Sequence, residues 1–492
     1  MLVTLPSALV DCRNLVDGEW VASSTGRGRD IHSPYDGRVV GRVGFSSAAD
    51  VDRAVRAAER AFPTWAAMPL RDRARLLLRF RELIVEHLDE LSNTVALESG
   101  KTPDEARAGV QRGLEVMDFA ASLPNADAGG ALEVSRGVTC ESRREPLGVV
   151  AGITPFNFPA MVPMWMFPIA LTVGNCFVLK PSEKVPLTAC RLGELASLAG
   201  YPAGVFSVVH GDRETVEAIA EHPAIQAVGF VGSSAAARAV YVRATSAGKR
   251  ALCLGGAKNA IILAPDADER LTVQSIVDSF TGCAGQRCMA ASLLLAVDDR
   301  RGLVEKIADA AARMVPGETM GALIDPAAKE RLTHAIDEAE RAGAKVLVDG
   351  RRTAAPAGGE GGIWMGATVL DGATAGMECA RAELFGPVLT VLRVRTLDEA
   401  LAVDLGSPYG NATSVFTTSG AVARYVGERA RSGMIGVNVG VPVPRDPFSF
   451  GGTRDSKLGH GDITGQGGVE FWSTLKKITT KWALQPDATW MS

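Results

Sequence analysis

The stretch Val149-Val150-Ala151-Gly152-Ile153-Thr154-Pro155-Phe156-Asn157-Phe158-Pro159 decides the reading of the fold: a short β-branched run, then a proline-bounded turn. Working outward, similar runs at 176–179, 205–209, 227–231 and 251–254 alternate with helical stretches. That alternation predicts an α/β fold, a doubly wound parallel sheet with helices on both faces that binds nucleotides at its strand carboxyl ends. One helix is expected to begin near Pro186, where proline's fixed φ suits a first turn, and the next after Asp212, a capping residue. The apolar stretch 161–179 contains Pro163, Pro168, Gly174 and Asn175, so it reads as buried helix then strand rather than a membrane span.

Upstream, apolar residues at helical spacing between 49 and 81, continuing through Leu91, predict that the N-terminal segment is mainly amphipathic helix with a scaffolding role. Residues 130–144 alternate instead, with Glu133, Ser135, Thr139 and Glu141 between apolar or small neighbours, which reads as an exposed strand or hairpin outside the main sheet. Residues 471–482 alternate similarly around Lys476, Lys477 and Lys481, so the two segments are expected to form an oligomerisation sheet. Residues 354–362 read as a surface loop rich in Gly, Ala and Pro.

The 492 residues exceed what one growing core accommodates, which predicts two or three domains. Hydrophobic residues at 47 %, charged residues at 22 % and a net charge of -4 give no footprint for nucleic acid or anionic membrane and favour small-molecule chemistry. Eight scattered cysteines and no leader-like pattern in residues 1–20 predict reduced thiols and a cytoplasmic location. No Cys/His group shows ligand spacing, so no metal is expected, and none of the six histidines sits in a recognisable catalytic partner motif.

Four short motifs carry chemistry. In Gly282-Cys283-Ala284-Gly285-Gln286-Arg287-Cys288-Met289-Ala290, small residues precede Cys288 and Arg287 flanks it; a neighbouring cation, and a helix N-terminus if Cys288 opens one, would lower its pKa. Taken alone, the motif fits a buried structural cysteine equally well. Asn157, in the turn after the first strand, offers an amide to a developing oxyanion or simply forms the turn. Lys180-Pro181-Ser182-Glu183-Lys184 puts cations and a carboxylate where open sheets bind ligands, a pair suited to ribose hydroxyls or to plain solvation. Gly232-Ser233, between strand and helix, offers backbone amides to a pyrophosphate, a weak signal by itself.

Together these motifs, with Glu98-Ser99-Gly100-Lys101, Leu254-Gly255-Gly256 and Glu383-Leu384-Phe385-Gly386-Pro387, resemble the aldehyde dehydrogenase superfamily over nearly the whole chain. The resemblance implies an NAD-binding domain (1–122 and 145–255), an α/β catalytic domain (256–465) and a small β oligomerisation arm (123–144 and 466–492) of a homodimer or homotetramer. It implies Cys288 as nucleophile, with Asn157 and the Cys288 amide as oxyanion hole. It further implies NAD held by Thr154, Phe156, Lys180, Glu183, Lys184, Gly232, Ser233, Gly255, Glu383 and Phe385. Glu183 near a ribose 2′-hydroxyl favours NAD over NADP.

Hydrolytic members carry a glutamate before Leu-Gly-Gly, where this chain has Cys253; without that general base, a thiol acceptor is the expected route of acyl release. Here, and in Gly256-Ala257-Lys258-Asn259, Arg287-Cys288-Met289-Ala290 and Tyr409-Gly410-Asn411, the chain resembles the CoA-acylating methylmalonate-semialdehyde dehydrogenase branch. The resemblance implies coenzyme A as co-substrate and a carboxylate-bearing aldehyde held by Arg112 and Arg287, since guanidinium pairs bidentately with carboxylate. The chain departs from that pattern at Arg445 and Asp446, which interrupt an apolar, proline-rich stretch, and at Ala237, where a second glycine is common. The alternatives are a hydrolytic dehydrogenase of another anionic semialdehyde and a catalytically idle homologue.

Overall fold

The computed structural model describes residues 9–126 and 129–482. Residues 1–8, part of the stretch read for a leader, and 127–128 and 483–492, assigned above to the arm, lie outside the described residues.

An eight-stranded sheet runs from edge to edge as Lys457–Leu458, Arg250–Leu254, Ile225–Val231, Val149–Ile153, Cys176–Lys180, Phe206–Val208, Asn14–Val16 and Glu19–Val21. Its middle five strands pair in parallel, so the doubly wound layout expected from the β-branched runs is the one observed. Because Val149–Ile153 lies between Ile225–Val231 and Cys176–Lys180, strand order reverses there, the point at which sheets of this kind bind ligands beyond their strand carboxyl ends. Every residue of Val149–Ile153 and Cys176–Lys180 is buried, as both-face coverage requires. A second, seven-stranded sheet runs Lys345–Val348, Thr368–Asp371, Val388–Val394, Ala291–Val297, Asn259–Leu263, Ala412–Phe416 and Met434–Val437.

Helices start where local chemistry satisfies their first amides. Asp212 accepts from Glu214 N at the head of Arg213–Glu221, and Pro186 precedes Leu187–Ala199, as expected from the sequence. Leu187–Ala199 is held from a distance: the buried Glu98 carboxylate accepts from Leu187 N at 2.7 Å and Thr188 N at 3.0 Å. The apolar 161–179 stretch is helix Met161–Thr172 followed by strand Cys176–Lys180. No helix among the described residues is long and apolar enough to cross a membrane.

The N-terminal reading needs correction in part. The amphipathic stretch is three helices, Ala48–Ala67, Leu70–Glu86 and Leu88–Ser99, broken at Met68-Pro69 and at His87. Among the described residues, five short strands precede them, from Val10–Cys12 to Val39–Gly44. Strands of three to six residues leave too few periods for alternation to register in sequence.

Gly130–Ser135 and Val138–Pro146 form a hairpin, and Ser473–Lys481 pairs along the outer side of Val138–Pro146 from Ser473↔Pro146 to Lys481↔Val138. The two alternating segments read from the sequence thus share one three-stranded sheet. Asn175, read above only as a breaker, ties its two roots together: Oδ1 accepts from Leu147 N at 2.7 Å and Gly148 N at 3.1 Å, while Nδ2 donates to Trp472 O at 2.7 Å. Trp472 is itself fully buried against Phe177, with ring centroids 5.8 Å apart. Asn175→Ala leaves two buried amide donors and a carbonyl unpaired, so we expect a loss of about 3 kcal/mol in thermal or denaturant unfolding. A change within about 0.5 kcal/mol, the usual scatter of surface substitutions, would show that Asn175 does not hold the arm.

Candidate active site

The carboxyl ends of the parallel strands gather the first group of residues. Thr154 follows Val149–Ile153 and its amide donates to Lys180 O at 3.0 Å, joining the ends of adjacent strands. Lys180 is buried with Nζ 3.4 Å from Glu183, and that carboxylate raises its pKa against the larger lowering effect of burial. Lys184 turns to Asp325 at 2.6 Å and lies over the Phe156 ring, which meets Phe385 edge-on with centroids 5.8 Å apart. On the next strand, Gly232-Ser233 leads into helix Ser234–Ser246, where the exposed Ser233 caps the Ala236 amide. The buried Ala237 occupies the face of this helix toward the sheet, so the missing second glycine does not disturb the strand-to-helix turn.

Beyond Gly255, the chain crosses to the second sheet. Gly256 is tightly confined, since a Cβ there would stand 2.5 Å from Glu383 Oε2 and 2.8 Å from Ser234 Oγ. Glu383 accepts from Ala257 N at 3.0 Å, and burial pushes its carboxyl up to about 7. Lys258 is buried with no partner for its Nζ among the described residues, and burial brings it down to about 8.

A dinucleotide fits these groups. The carboxylates of Glu183 and Glu383, the strand-to-helix turn at Gly232-Ser233 and the buried, unpartnered Lys258 Nζ are the kinds of group that suit sugar hydroxyls and a pyrophosphate.

The cysteine loop follows helix Glu269–Thr281. Cys283, Ala284 and Gly285 all adopt left-handed φ of 55°, 51° and 68°. A side chain at Gly285 is excluded because its Cβ would come 2.1 Å from the Gly386 carbonyl, so this glycine locks the cysteine loop to the Glu383–Pro387 motif. Gln286 braces the loop with both ends of its amide, to Ala322 O at 3.2 Å and from Ile324 N at 3.0 Å. Glu105, from the start of helix Pro103–Ala126, accepts from Cys283 N at 2.5 Å.

Cys288 is half-buried in the turn that follows. Its carbonyl accepts from Asn259 Nδ2 at 2.7 Å and Asn411 Nδ2 at 2.9 Å, so the residue is pinned by two side-chain amides. In the sequence both asparagines stand out as branch markers, with nothing to assign them this positioning role. The signal was present, two Asn at strand starts, but the pairing is made only by the adjacency of Asn259–Leu263 and Ala412–Phe416. Asn157 reaches the same loop, donating Nδ2 to Gln286 O at 3.0 Å.

The thiol's environment overturns one expectation. Cys288 does not open a helix, and Arg287 directs its guanidinium to the carbonyls of Asp278 and Ser279. Burial, reinforced by the Glu383 charge, pushes the Cys288 thiol up to about 12, while Arg287 opposes this only weakly. Cys253, where a glutamate was notable by its absence, is fully buried in the core of the first sheet.

Cys288 opens into a cavity of about 400 Å³ walled by Phe158, Met161, Trp165, Val441 and Phe450, with Arg112, Arg287 and Arg445 among its lining. Arg112 and Arg287, expected together from the sequence, are therefore brought to one cavity, and Arg287 Nε is buried with no partner among the described residues. No group of three or more His, Cys, Asp or Glu among the described residues is placed to hold a metal.

A doubly wound parallel sheet beside a second α/β sheet, with Cys288 in the turn ahead of strand Ala291–Val297, is the architecture of a nucleotide-dependent oxidoreductase. The chain belongs to the aldehyde dehydrogenase family, whose model matches residues 20–478. It is 44 % identical over 477 residues to malonate-semialdehyde dehydrogenase 2 of Geobacillus thermodenitrificans (strain NG80-2), covering 95 % of this chain and 98 % of that protein. It is 41 % identical over 490 residues to the acylating mitochondrial methylmalonate-semialdehyde/malonate-semialdehyde dehydrogenase of Mus musculus, covering 98 % and 91 %. Among solved structures it is similar, at TM-score 0.95 and 40 % identity over 98 % of this chain and 100 % of the other, to a presumed methylmalonate-semialdehyde dehydrogenase from Sinorhizobium meliloti 1021 complexed with NAD.

Iodoacetamide labelling of Cys288, followed by peptide mass spectrometry, should be slow near pH 7 and climb about tenfold per pH unit to about pH 9, because the thiolate remains the minor form. Glu383→Gln removes the neighbouring anion and should speed labelling at fixed pH. Slower labelling in that variant would mean the carboxylate does not act on the thiol.

Proposed function

We propose that this protein oxidises malonate or methylmalonate semialdehyde with NAD through a Cys288 thioester, loses CO2 and passes the acyl group to coenzyme A as acetyl-CoA or propionyl-CoA. The observation that carries the reading is the single cavity holding the Cys288 thiol with Arg112 and Arg287, a nucleophile and two carboxylate-pairing cations. The names of the similar proteins supply the substrate class.

Bound NAD supplies the acceptor for the aldehyde hydride. Thr154, Phe156, Lys180, Glu183, Lys184, Gly232, Ser233 and Gly255 would line its adenosine and pyrophosphate side, with Glu383 and Phe385 at the nicotinamide end. Cys288 Sγ, once deprotonated, attacks the aldehyde carbon, and Asn157 Nδ2, leaving Gln286 O, donates to the oxygen that becomes negative. After hydride leaves, the carbonyl re-forms as a thioester. With a carboxylate on the next carbon, the C–C bond to CO2 breaks and its electron pair moves into the thioester carbonyl as an enolate, which the same amide stabilises until carbon is protonated. The coenzyme A thiol then displaces Cys288. Water has no evident activator at position 253, since a buried thiol stands there.

The segments 1–122 and 145–255 serve, in this reading, as the NAD-binding domain, 256–465 as the catalytic domain, and 123–144 with 466–492 as the arm of a cytoplasmic homodimer or homotetramer. The arm's exposed Leu132, Val134 and Trp482 suit burial against another subunit.

One observation favours a second reading. Glu383, held up to about 7 and felt by the thiol, has the protonation range of a general base, so hydrolytic release of a free acid is the competing outcome.

NADH formation from both semialdehydes, with and without coenzyme A and with products identified by mass, separates the two. Turnover that requires coenzyme A and yields acetyl-CoA or propionyl-CoA is expected; full turnover to free acid without it would move the enzyme to the hydrolytic reading. Arg112→Ala should raise KM for the semialdehydes by about tenfold or more while leaving propanal nearly unchanged, as loss of a bidentate carboxylate contact requires. Equal effects on both would remove the carboxylate clamp.

A further inference from the structure

At the mouth of the cysteine cavity, the two oxygens of Glu115 are divided between two arginines. Oε2 accepts from Arg112 Nη1, and Oε1 accepts from Arg445 Nη1 at 2.7 Å. Arg112 is spent on both sides of its fork, since Nη2 donates to Pro444 O, the residue before Arg445. Its side chain is 18 % exposed, against 73 % for Arg445. The two cations therefore differ in freedom: one is fixed in the cavity wall and the other is a solvated arm on the Val441–Phe450 side of the entrance.

A substrate carboxylate arriving at Arg112 meets a site already filled by a carboxylate of the protein. Bidentate pairing along the outer edge of the fork needs Nη1 and Nη2 together, and there Glu115 already takes Nη1 while Pro444 O takes Nη2. Pairing along that edge brings the substrate's charge beside Glu115, and a carboxylate beside a second anion needs a cation to stay with. Asp446 adds to that need: its Oδ1 is buried with no partner among the described residues, on the same segment as Arg445.

We infer that Arg445 is a positioning residue that takes Glu115 from Arg112 when an anionic aldehyde enters, so that Glu115 occupies the substrate's carboxylate site only while that site is empty. The inference rests on the carboxylate reading of Arg112 and Arg287 above. The segment that departs from the family pattern thereby acquires a role in selecting anionic aldehydes, because a neutral aldehyde has nothing to exchange for Glu115 and gains nothing from the transfer. Arg445 acts through Glu115 and need not touch the substrate.

The test is a double-mutant cycle read as KM and kcat for malonate semialdehyde and for propanal, with NAD and coenzyme A saturating. Arg445→Ala leaves Glu115 with Arg112 as its sole cation and should raise KM for malonate semialdehyde by about fivefold, the scale of one exposed ion pair, with kcat and the propanal constants unchanged. Glu115→Gln removes the competitor and should lower that KM or leave it as it was. Glu115→Gln combined with Arg445→Ala should return KM to the value of Glu115→Gln alone, and Arg445→Lys, which keeps the charge, should stay near the parent.

A defect in Arg445→Ala that persists undiminished in the double variant would overturn the transfer and make Arg445 a direct substrate contact. Arg112→Ala separates the layers: if it fails to discriminate malonate semialdehyde from propanal, the carboxylate reading falls and the transfer with it. If it discriminates while the cycle shows no coupling, only the transfer falls.

Discussion

Two side-chain amides converge on one backbone carbonyl, that of Cys288, and the geometry of the site follows from this. Asn259 opens a strand of the second sheet and Asn411 immediately precedes its parallel neighbour, so their amides come from a rigid edge rather than a loop. The chain leading to Cys288 needs such a hold, because it passes through three consecutive left-handed residues, two of them not glycine. Non-glycine residues there cost on the order of 1–3 kcal/mol each and persist only when the surroundings over-determine them. Glu105 on the Cys283 amide, Gln286 across to Ala322 and Ile324, and Gly285 pressed onto Gly386 provide that determination.

The same packing divides the site by charge. Beside Gly256 and Ala257 stand buried groups whose ordinary charge is disfavoured, Glu383 held up and Lys258 held down. Around the cysteine cavity stand three arginines, partly offset by Glu115 and Asp446. Between them the thiol is kept neutral by burial and by Glu383. A protonated thiol is protected from indiscriminate electrophiles, because thiolate is the reactive form. In the proposed cycle, engaging Glu383 with a ribose would weaken its field at Cys288, coupling nucleophile activation to cofactor occupancy.

The arm is attached to this centre through the core of the first sheet. Asn175 closes the Val173–Cys176 turn and simultaneously holds Leu147, Gly148 and Trp472, the residues where the arm leaves and rejoins the body. Trp472 then packs on Phe177, within a strand whose end carries Lys180.

The sequence by itself determined the doubly wound sheet, because five buried strands require uninterrupted β-branched and apolar runs, and the helix starts at Pro186 and Asp212, because capping is local chemistry. It also determined the family, since motifs such as Gly285-Gln286-Arg287-Cys288 and Glu383–Pro387 are contiguous and ordered; the fold brings the two into contact through Gly285 and Gly386. Tertiary structure alone decided what depends on distance across the chain. The short N-terminal strands had too few residues to show a period. The Cys288 pKa reversed direction because burial and Glu383, 95 positions away, outweigh the adjacent Arg287. Arg112 and Arg445, 333 positions apart, are joined through Glu115 and line one cavity, and ion pairing of that kind leaves no pattern in linear order.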